Sequence, residues 1–241
     1  MVSKNQIKLI TSLQQKKYRK QEQLFFAEGV KVVQELLNSN FELQDLFTTK
    51  QDFLTVSKDK VHAISEAELK KISALTTPNT CLAVFKMPKS KDFVEKGLIV
   101  VLDDVRDPGN LGTIIRLCDW FGIETLFCSE ESVDIYNPKV VQATMGSISR
   151  VNVVYGNLEA FLTKTKLPVF GTFMDGKNIY QEKLPKEGII IMGNEANGIS
   201  SSVEKLVSER IAIPRFGNLQ VTESLNVTNA AAIILSEFRR S

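Results

Sequence analysis

From residue 98 onward, short apolar runs alternate with segments of helical spacing. The runs are LIVVLDDV, TLFCSE, RVNVVYG, PVFGTFM, GIIIMG and RIAIPR. Strands that are apolar along almost their whole length need cover on both faces, as in parallel sheets flanked by helices. The sequence therefore predicts an α/β fold with a doubly wound parallel sheet. Ligands of such sheets bind beyond the carboxyl ends of the strands.

The preceding part of the chain predicts a smaller α/β unit. Strand-like runs such as QLFFAEG and CLAVFKM alternate with helical segments, one of which begins with a capping box formed by Ser65 and Glu68. The polar stretch PKSKDFVEKG (88–97) contains a proline and has no apolar period, so it predicts a linker. We therefore expect one domain over residues 1–92 and a second over residues 93–241.

Composition excludes several functional classes. The chain has a single histidine, His62, and three cysteines, which leaves little material for histidine triads or metal sites. No apolar run approaches the roughly 18 residues of a membrane-spanning helix, and the N-terminus has no apolar signal-peptide core. Cysteines in odd number and apolar settings favour reduced thiols. We expect a cytoplasmic protein with no metal and no membrane partner.

Basic residues are concentrated at the N-terminus. The net charge is only +2, yet residues 1–20 contain six basic side chains and no acidic one. Such a segment is typical of phosphate-backbone contacts. A solvated helix face is an equally good interpretation of the charge alone. The candidate phosphate-backbone contacts are Lys16, Lys17, Arg19 and Lys20.

The first of three polar loops at strand ends is DDVRDPGNLGTIIR (residues 103–116). Gly109 and Gly112 allow a tight turn, and Asn110 is a candidate cap for the helix that follows. Arg116 lies among apolar neighbours, so it must be paired or face a cleft. The alternative is an ordinary helix-face arginine bonded to Asp119 or another acid.

The second loop, IIIMGNEANGIS (residues 189–200), combines Glu195 and two asparagines with two glycines. The third, IAIPRFGNLQVTESLNVTNAAAIIL (residues 211–235), has Ser224 as a candidate cap and Asn226 in the first helical turn. Its Ala-rich helix allows close packing within the subunit or across a dimer. The three loops contain no metal-ligand cluster, no nucleophile–base pair and no glycine-rich phosphate motif. They predict a cleft for a polar organic ligand.

These loops resemble, in order and spacing, motifs 1, 2 and 3 of the SpoU (TrmH) family of RNA ribose methyltransferases. The N-terminal stretch SLQQKKYRKQEQLFFAEGVKVVQELL is similar to the L30e-like substrate-binding domain of its rRNA-type members. The resemblance implies a deep C-terminal trefoil knot, a homodimer and S-adenosylmethionine as cofactor. The segment RFGNLQVTE is longer here than in the common form of motif 3.

By matched position, the resemblance implies a set of site residues. Those expected to contact S-adenosylmethionine are Gly193, Ile213 and Leu225, with Gly171 and Thr172 nearby. Those at active-site positions are Asn110, Arg116, Glu195, Ser224 and Asn226. The resemblance implies that Arg116 has the catalytic role proposed for the motif 1 arginine of the family. It would act as a stabiliser of charge on the 2′-oxygen or as a base.

The resemblance implies one expected function and leaves two rivals within the family, and a third rival lies outside it. Methylation of a ribose 2′-hydroxyl in large-subunit rRNA is expected, because the extra N-terminal domain is typical of rRNA-type members. The rivals are a tRNA 2′-O-methyltransferase and a non-catalytic RNA-binding protein on the same fold. A nucleotide-binding enzyme unrelated to methyl transfer would instead select NAD or ATP.

Overall fold

The computed structural model describes residues 1–50, 56–89, 93–218 and 224–240. The helices are α1 Lys4–Ser12, α2 Lys16–Glu22, α3 Val30–Leu37, α4 Glu66–Ile72, α5 Pro108–Trp120, α6 Pro138–Thr144, α7 Leu158–Leu162, α8 Ser201–Glu204 and α9 Val227–Arg240. The strands are β1 Leu24–Glu28, β2 Leu43–Thr48, β3 Val61–Ala63, β4 Cys81–Lys86, β5 Leu98–Leu102, β6 Thr125–Cys128, β7 Asn152–Tyr155, β8 Val169–Asn178, β9 Gly188–Met192 and β10 Glu209–Ala212.

The chain packs as two compact units. The first unit comprises residues 1–90 together with 134–149, and the second comprises residues 91–133 and 150–241. The domain bounds predicted from the sequence include residues 134–149 in the second domain, whereas these residues pack in the first unit. The reason is tertiary: the Tyr136 ring lies 4.8 Å from that of Phe25 in β1, a contact between segments distant in sequence. Three residues of the predicted linker, 90–92, lie outside the described residues.

The first unit is built on a four-stranded mixed sheet in the order β1-β4-β2-β3. β4 runs antiparallel to both β1 and β2, and β3 runs parallel to β2. The predicted capping box begins α4: Ser65 Oγ accepts from the Glu68 amide, and the Glu68 carboxylate accepts from the Ser65 amide at 2.9 Å. Apolar residues of α1, α4 and one sheet face form the core, including Ile10, Leu82 and Ile72.

The second unit contains a six-stranded sheet in the order β10-β8-β9-β5-β6-β7, and each pair of neighbours is parallel. β5 and β9 are buried along their whole length, which explains why their sequences are continuously apolar. The predicted α/β fold with a parallel sheet is therefore confirmed. β5 lies between β9 and β6, so the carboxyl ends of β5 and β9 adjoin at a switch in strand order.

The structure corrects two helix starts. Asp107, and not Asn110, caps α5: its carboxylate accepts from the Asn110 amide at 2.8 Å, and Pro108 occupies the first turn. α9 begins at Val227, and Asn226 Oδ1 accepts from the Thr228 amide at 2.9 Å. Asn226 therefore caps the helix in place of Ser224. In both loops several residues that commonly cap helices lie close together in sequence. The point at which the backbone becomes helical determines which of them is the cap.

All three cysteines are buried free thiols. Desolvation raises the pKa of Cys81 to about 12 and raises the pKa values of Cys118 and Cys128 further. Thiols with such pKa values are poor nucleophiles at neutral pH. None of the helices in the described residues is both long enough and apolar enough to cross a membrane.

Candidate functional site

The parallel sheet brings the three polar loops together. Leu102 at the end of β5 pairs with Met192 at the end of β9, so the loops that follow these strands leave the sheet side by side. The first turn of α5 follows β5, and residues 193–198 follow β9. The start of α9 completes the site, since the Asn226 side chain reaches Asn110 in α5.

A chain of hydrogen bonds connects predicted active-site residues. The Thr228 hydroxyl donates to Asn226 Oδ1 at 2.5 Å, and Asn226 Nδ2 donates to Asn110 Oδ1 at 3.3 Å. Asn110 Nδ2 in turn donates to Glu195 Oε1 at 2.6 Å. Each amide donates with its nitrogen and accepts with its oxygen, so the chain has one direction and ends on a carboxylate. Thr228 extends the predicted set, and its position two residues after a capping asparagine is the sequence signal for it.

A polar cavity of about 700 Å³ opens onto this chain. It is lined by Asp104, Arg106, Asp107, Asn110, Asn194, Glu195, Ala196, Asn197 and Asn226. Arg106 Nε donates to Asp104 Oδ1 at 2.7 Å, and this hydrogen bond raises the pKa of the guanidinium. Carboxylates and amides predominate in the lining, so the cavity offers acceptors to hydroxyl and N–H groups.

A second, mainly apolar cavity of about 500 Å³ lies on the other side of the second loop. We call it the apolar cavity. Its lining residues are Thr172, Phe173, Met174, Met192, Gly193, Asn194, Glu195, Ala196, Gly198, Ile199, Ile211, Ile213, Ser224, Leu225, Val227, Ala230 and Ile234. Four of the five predicted cofactor contacts are in this lining. Gly171 is not: it lies in β8, where its backbone pairs with Ile191.

The loop between the two cavities requires glycine at position 193. A Cβ built on Gly193 would lie 2.2 Å from the carbonyl carbon of Gly198, because the loop closes on itself through paired Asn194 and Gly198 backbones. The apolar cavity also has the size of a small-molecule pocket and combines apolar walls with a few polar groups. Its residues therefore fit S-adenosylmethionine, which has an adenosine and a charged methionyl end.

Arg116 stands apart from both cavities. Its side chain is exposed on α5, and it is not among the residues that line either cavity. Among the residues that the structure describes, no ion pair joins Arg116 to Asp119, whose carboxylate accepts from Arg150 Nε at 2.9 Å. Within the described residues, Arg116 has no hydrogen-bond or ion-pair partner. Ser224 lines the apolar cavity but is not part of the hydrogen-bonded chain.

The N-terminal basic residues separate into two kinds. Lys16, Lys17 and Lys20 are exposed on α2. Arg19 is 2% exposed; it donates to both Leu13 and Gln14 carbonyls and to Asp134. The structure thus corrects the prediction at Arg19, whose guanidinium is enclosed within the first unit. Because α2 is a helix, successive side chains point in different directions, and Arg19 lies on the face that packs against the first unit.

Comparison with known proteins identifies the class to which this fold and site belong. The SpoU rRNA Methylase family model matches residues 97–236, and the model of the MRM3-like substrate binding domain matches residues 4–83. The first match covers more than half of the chain. The chain belongs to the SpoU rRNA methylase family.

Individual relatives extend over nearly the whole chain. The 23S rRNA (guanosine(2553)-2′-O)-methyltransferase RlmP of Bacillus subtilis (strain 168) is 29% identical over 98% of this chain and 97% of the relative. The structure of a TrmH family protein from Porphyromonas gingivalis superposes with a TM-score of 0.90 and 41% identity, covering 100% of this chain and 99% of that one. The AdoMet-bound rRNA methyltransferase from Sinorhizobium meliloti gives a TM-score of 0.87 and 28% identity, with coverage of 100% and 97%.

These matches confirm the family that the three loops predicted. They also confirm an RNA methyltransferase that uses S-adenosylmethionine as its cofactor. In the described residues, no group of three or more histidine, cysteine, aspartate or glutamate side chains could hold a metal ion.

Proposed function

We propose that the protein methylates a ribose 2′-hydroxyl in large-subunit rRNA, with S-adenosylmethionine as methyl donor. The observation that carries this proposal is the pair of cavities, which share Asn194, Glu195 and Ala196 as a common wall. The apolar cavity suits the cofactor, and the polar cavity suits a ribose with its hydroxyl groups. RlmP, a relative matched along nearly its whole length, is named as a 23S rRNA 2′-O-methyltransferase.

The protein's own side chains position the ribose and stabilise the charge that develops on it. When bound, S-adenosylmethionine supplies an electrophilic methyl group on a sulfonium. A ribose 2′-hydroxyl is a weak acid, so its attack requires orientation and stabilisation of the developing negative charge. In the hydrogen-bonded chain Asn226–Asn110–Glu195, Asn110 Nδ2 donates to Glu195 Oε1. Glu195 Oε2 is then left to accept from a ribose hydroxyl. These residues orient the acceptor in the proposed mechanism.

Arg116 supplies the positive charge in this proposal. The exposed Arg116 guanidinium, which has no hydrogen-bond or ion-pair partner within the described residues, is available to an RNA phosphate, whose oxygens match its planar N–H donors. Contact with the phosphate and the 2′-oxygen would place this charge where negative charge develops. Because Arg116 lies outside both cavities of the single chain, we propose that the site is completed by RNA and by a second copy of the chain. The exposed Trp120, one turn further along α5, supports a homodimer at this helix.

The same proposal includes an L30e-like first domain, a trefoil knot in the second domain and a cytoplasmic location. The match of residues 4–83 to a substrate-binding domain supports RNA binding by an L30e-like first domain, within the predicted bounds 1–92. The family match over residues 97–236 supports a trefoil knot in the second domain, over 93–241. Three unpaired buried thiols support a cytoplasmic location.

The function is tested by transfer of labelled methyl from S-adenosylmethionine to RNA that lacks the enzyme's own modification. Nuclease digestion and nucleoside mass spectrometry then identify the product. A 2′-O-methylnucleoside in large-subunit rRNA is expected. Label in tRNA alone would favour the tRNA alternative, and S-adenosylmethionine binding without label in any RNA would favour a non-catalytic RNA-binding protein.

The role of Arg116 is tested in the same assay. We expect Arg116→Ala to lower the rate of methyl transfer by about 10²-fold or more, the scale of a lost charge-stabilising group. The Kd for S-adenosylmethionine should stay unchanged, because Arg116 does not line the apolar cavity. Arg240→Ala, which removes an exposed arginine of α9, is the control and should keep full activity. Near-wild-type turnover by Arg116→Ala would refute the catalytic assignment.

A further inference from the structure

Asn194 uses all of its hydrogen-bonding groups to fix the wall between the two cavities. Its Nδ2 donates to the Asp104 carbonyl oxygen at 2.7 Å. Its Oδ1 accepts from the Ala196 amide at 2.9 Å and from the Asn197 amide at 3.1 Å. Its backbone exchanges two hydrogen bonds of 2.9 Å with Gly198. One side chain thus bonds the second loop to itself and to the first loop.

The partner of Asn194 in the first loop is itself held in an uncommon conformation. Asp104 has a φ of +58°, in the left-handed region that a non-glycine residue rarely adopts. Its amide donates to Ser129 Oγ at 3.0 Å, and its carboxylate accepts from Arg106. Such a conformation persists only where the surroundings fix it. The bond from Asn194 to the Asp104 carbonyl is one of these constraints.

These contacts determine where Glu195 lies. Asn194 precedes Glu195 in sequence, and its Oδ1 accepts from the amides of the two residues that follow Glu195, Ala196 and Asn197. The backbone on both sides of Glu195 is therefore fixed. In this position the Glu195 carboxylate accepts a hydrogen bond from Asn110 Nδ2 in the lining of the polar cavity. We propose that Asn194 is a positioning residue, which acts on methyl transfer by holding Glu195 against Asn110. The inference rests on the function proposed above.

Two variants separate the donor from the acceptor role of the Asn194 side chain. Asn194→Asp keeps the acceptor for the two amides but replaces the donor by an oxygen that faces the Asp104 carbonyl and carboxylate. Asn194→Ala removes both roles. We expect each variant to lower kcat by about 10- to 100-fold at saturating S-adenosylmethionine, the scale of a small misplacement of reacting groups. Because Asn194 also lines the apolar cavity, the Kd for S-adenosylmethionine is measured for each variant, and the saturating cofactor ensures that a change in this Kd does not account for the loss of kcat.

The pH dependence distinguishes positioning from a general loss of structure. Protonation of the carboxyl in Asn194→Asp restores a donor toward Asp104, so the activity of this variant relative to wild type should rise as the pH falls. The relative activity of Asn194→Ala should stay constant over the same range. Asn157→Ala is the matched control: it removes an asparagine that caps α7 through the Ala160 amide, and it should keep kcat.

The outcomes are distinct. A wild-type enzyme without methyl transfer to any RNA would refute the proposed function and not the contacts of Asn194. An active wild type with full turnover in Asn194→Ala would overturn the inference. So would equal losses of kcat in Asn194→Ala and Asn157→Ala at matched unfolding temperatures, or a flat relative pH profile for Asn194→Asp.

Discussion

The Glu68 carboxylate shows how single groups of the first unit respond to pH. Its Oε1 accepts from the Val2 amide at 2.8 Å, and its Oε2 accepts from the Ser65 amide at 2.9 Å. These backbone hydrogen bonds stabilise the ionised form and lower the pKa of Glu68 from 4.5 to about 2. One carboxylate therefore caps α4 and holds the N-terminus of the chain.

This pKa shift predicts a loss of stability in acid. Because the folded-state pKa lies below the unfolded value, the contribution of Glu68 is complete above the unfolded pKa. It is lost as the pH falls from about 4.5 towards 2. We expect Glu68→Gln to be less stable than wild type at neutral pH and to lose less stability over this range. Urea denaturation at a series of pH values measures both effects.

The control for Glu68 lies in the same helix turn. Glu66 has no hydrogen-bond partner within the described residues, so Glu66→Gln should keep the pH dependence of the wild type. An acid-induced loss in Glu68→Gln as large as that of wild type would show that the capping box does not contribute to it.

Arg19 connects elements that are distant in sequence. It donates to the carbonyls of Leu13 and Gln14 after α1, and its Nε and Nη2 donate to Asp134 Oδ2 at 3.0 and 2.5 Å. Asp134 precedes α6, so one guanidinium ties α1, α2 and the α6 segment together. Removal of one partner from such a pair leaves an uncompensated buried charge.

We expect Arg19→Met to destabilise the protein by about 3–5 kcal/mol, as measured by urea denaturation. Lys20→Met is the matched control, since Lys20 is the exposed neighbour in the same helix, and it should change stability by less than about 0.5 kcal/mol. Equal effects of the two substitutions would contradict the structural role of Arg19.

At the level of elements, local patterns predicted most of the architecture. The apolar runs from residue 98 onward became β5 to β10, because parallel strands covered on both faces are apolar along most of their length. Proline in the first turn could have indicated Asp107 as the cap of α5. The packing of α6 in the first unit was not predictable, because it depends on contacts such as Tyr136 with Phe25.

The site was partly predictable for the same reason. Asn110, Glu195 and Asn226 come together because the strand ends place their loops side by side. Asn194 was missed as a positioning residue, since its partner Asp104 lies 90 residues away in sequence.

At the level of the whole molecule, the two units carry different charges at the surfaces proposed to contact RNA. The polar cavity of the second unit is lined by three carboxylates and one arginine, so it does not attract a polyanion. The first unit exposes Lys16, Lys17 and Lys20 on one short helix. We therefore expect RNA affinity to come mainly from the first unit, and recognition of the reacting ribose to come from the second.

Substitution of charges in the full chain is the appropriate test of this division. Deletion of residues 1–92 would remove β1, against which α6 packs, and would leave residues 134–149 without their partners. Variants of exposed lysines avoid this damage, because exposed side chains contribute little to stability.

We expect the combined substitution of Lys16, Lys17 and Lys20 by glutamine to weaken RNA binding and to reduce its salt dependence. Each lost phosphate contact lowers the slope of log K against log salt by about 0.7–0.9, so three contacts lower it by about 2 to 3. The same substitution of Lys164, Lys166 and Lys186, three exposed lysines of the second unit, is the control and should leave the slope unchanged. Equal slopes for wild type and the α2 variant would place the phosphate contacts elsewhere, and Arg116 would then be the first residue to test. A reduced slope with unchanged binding of S-adenosylmethionine would support separate sites for RNA backbone and cofactor on the two units.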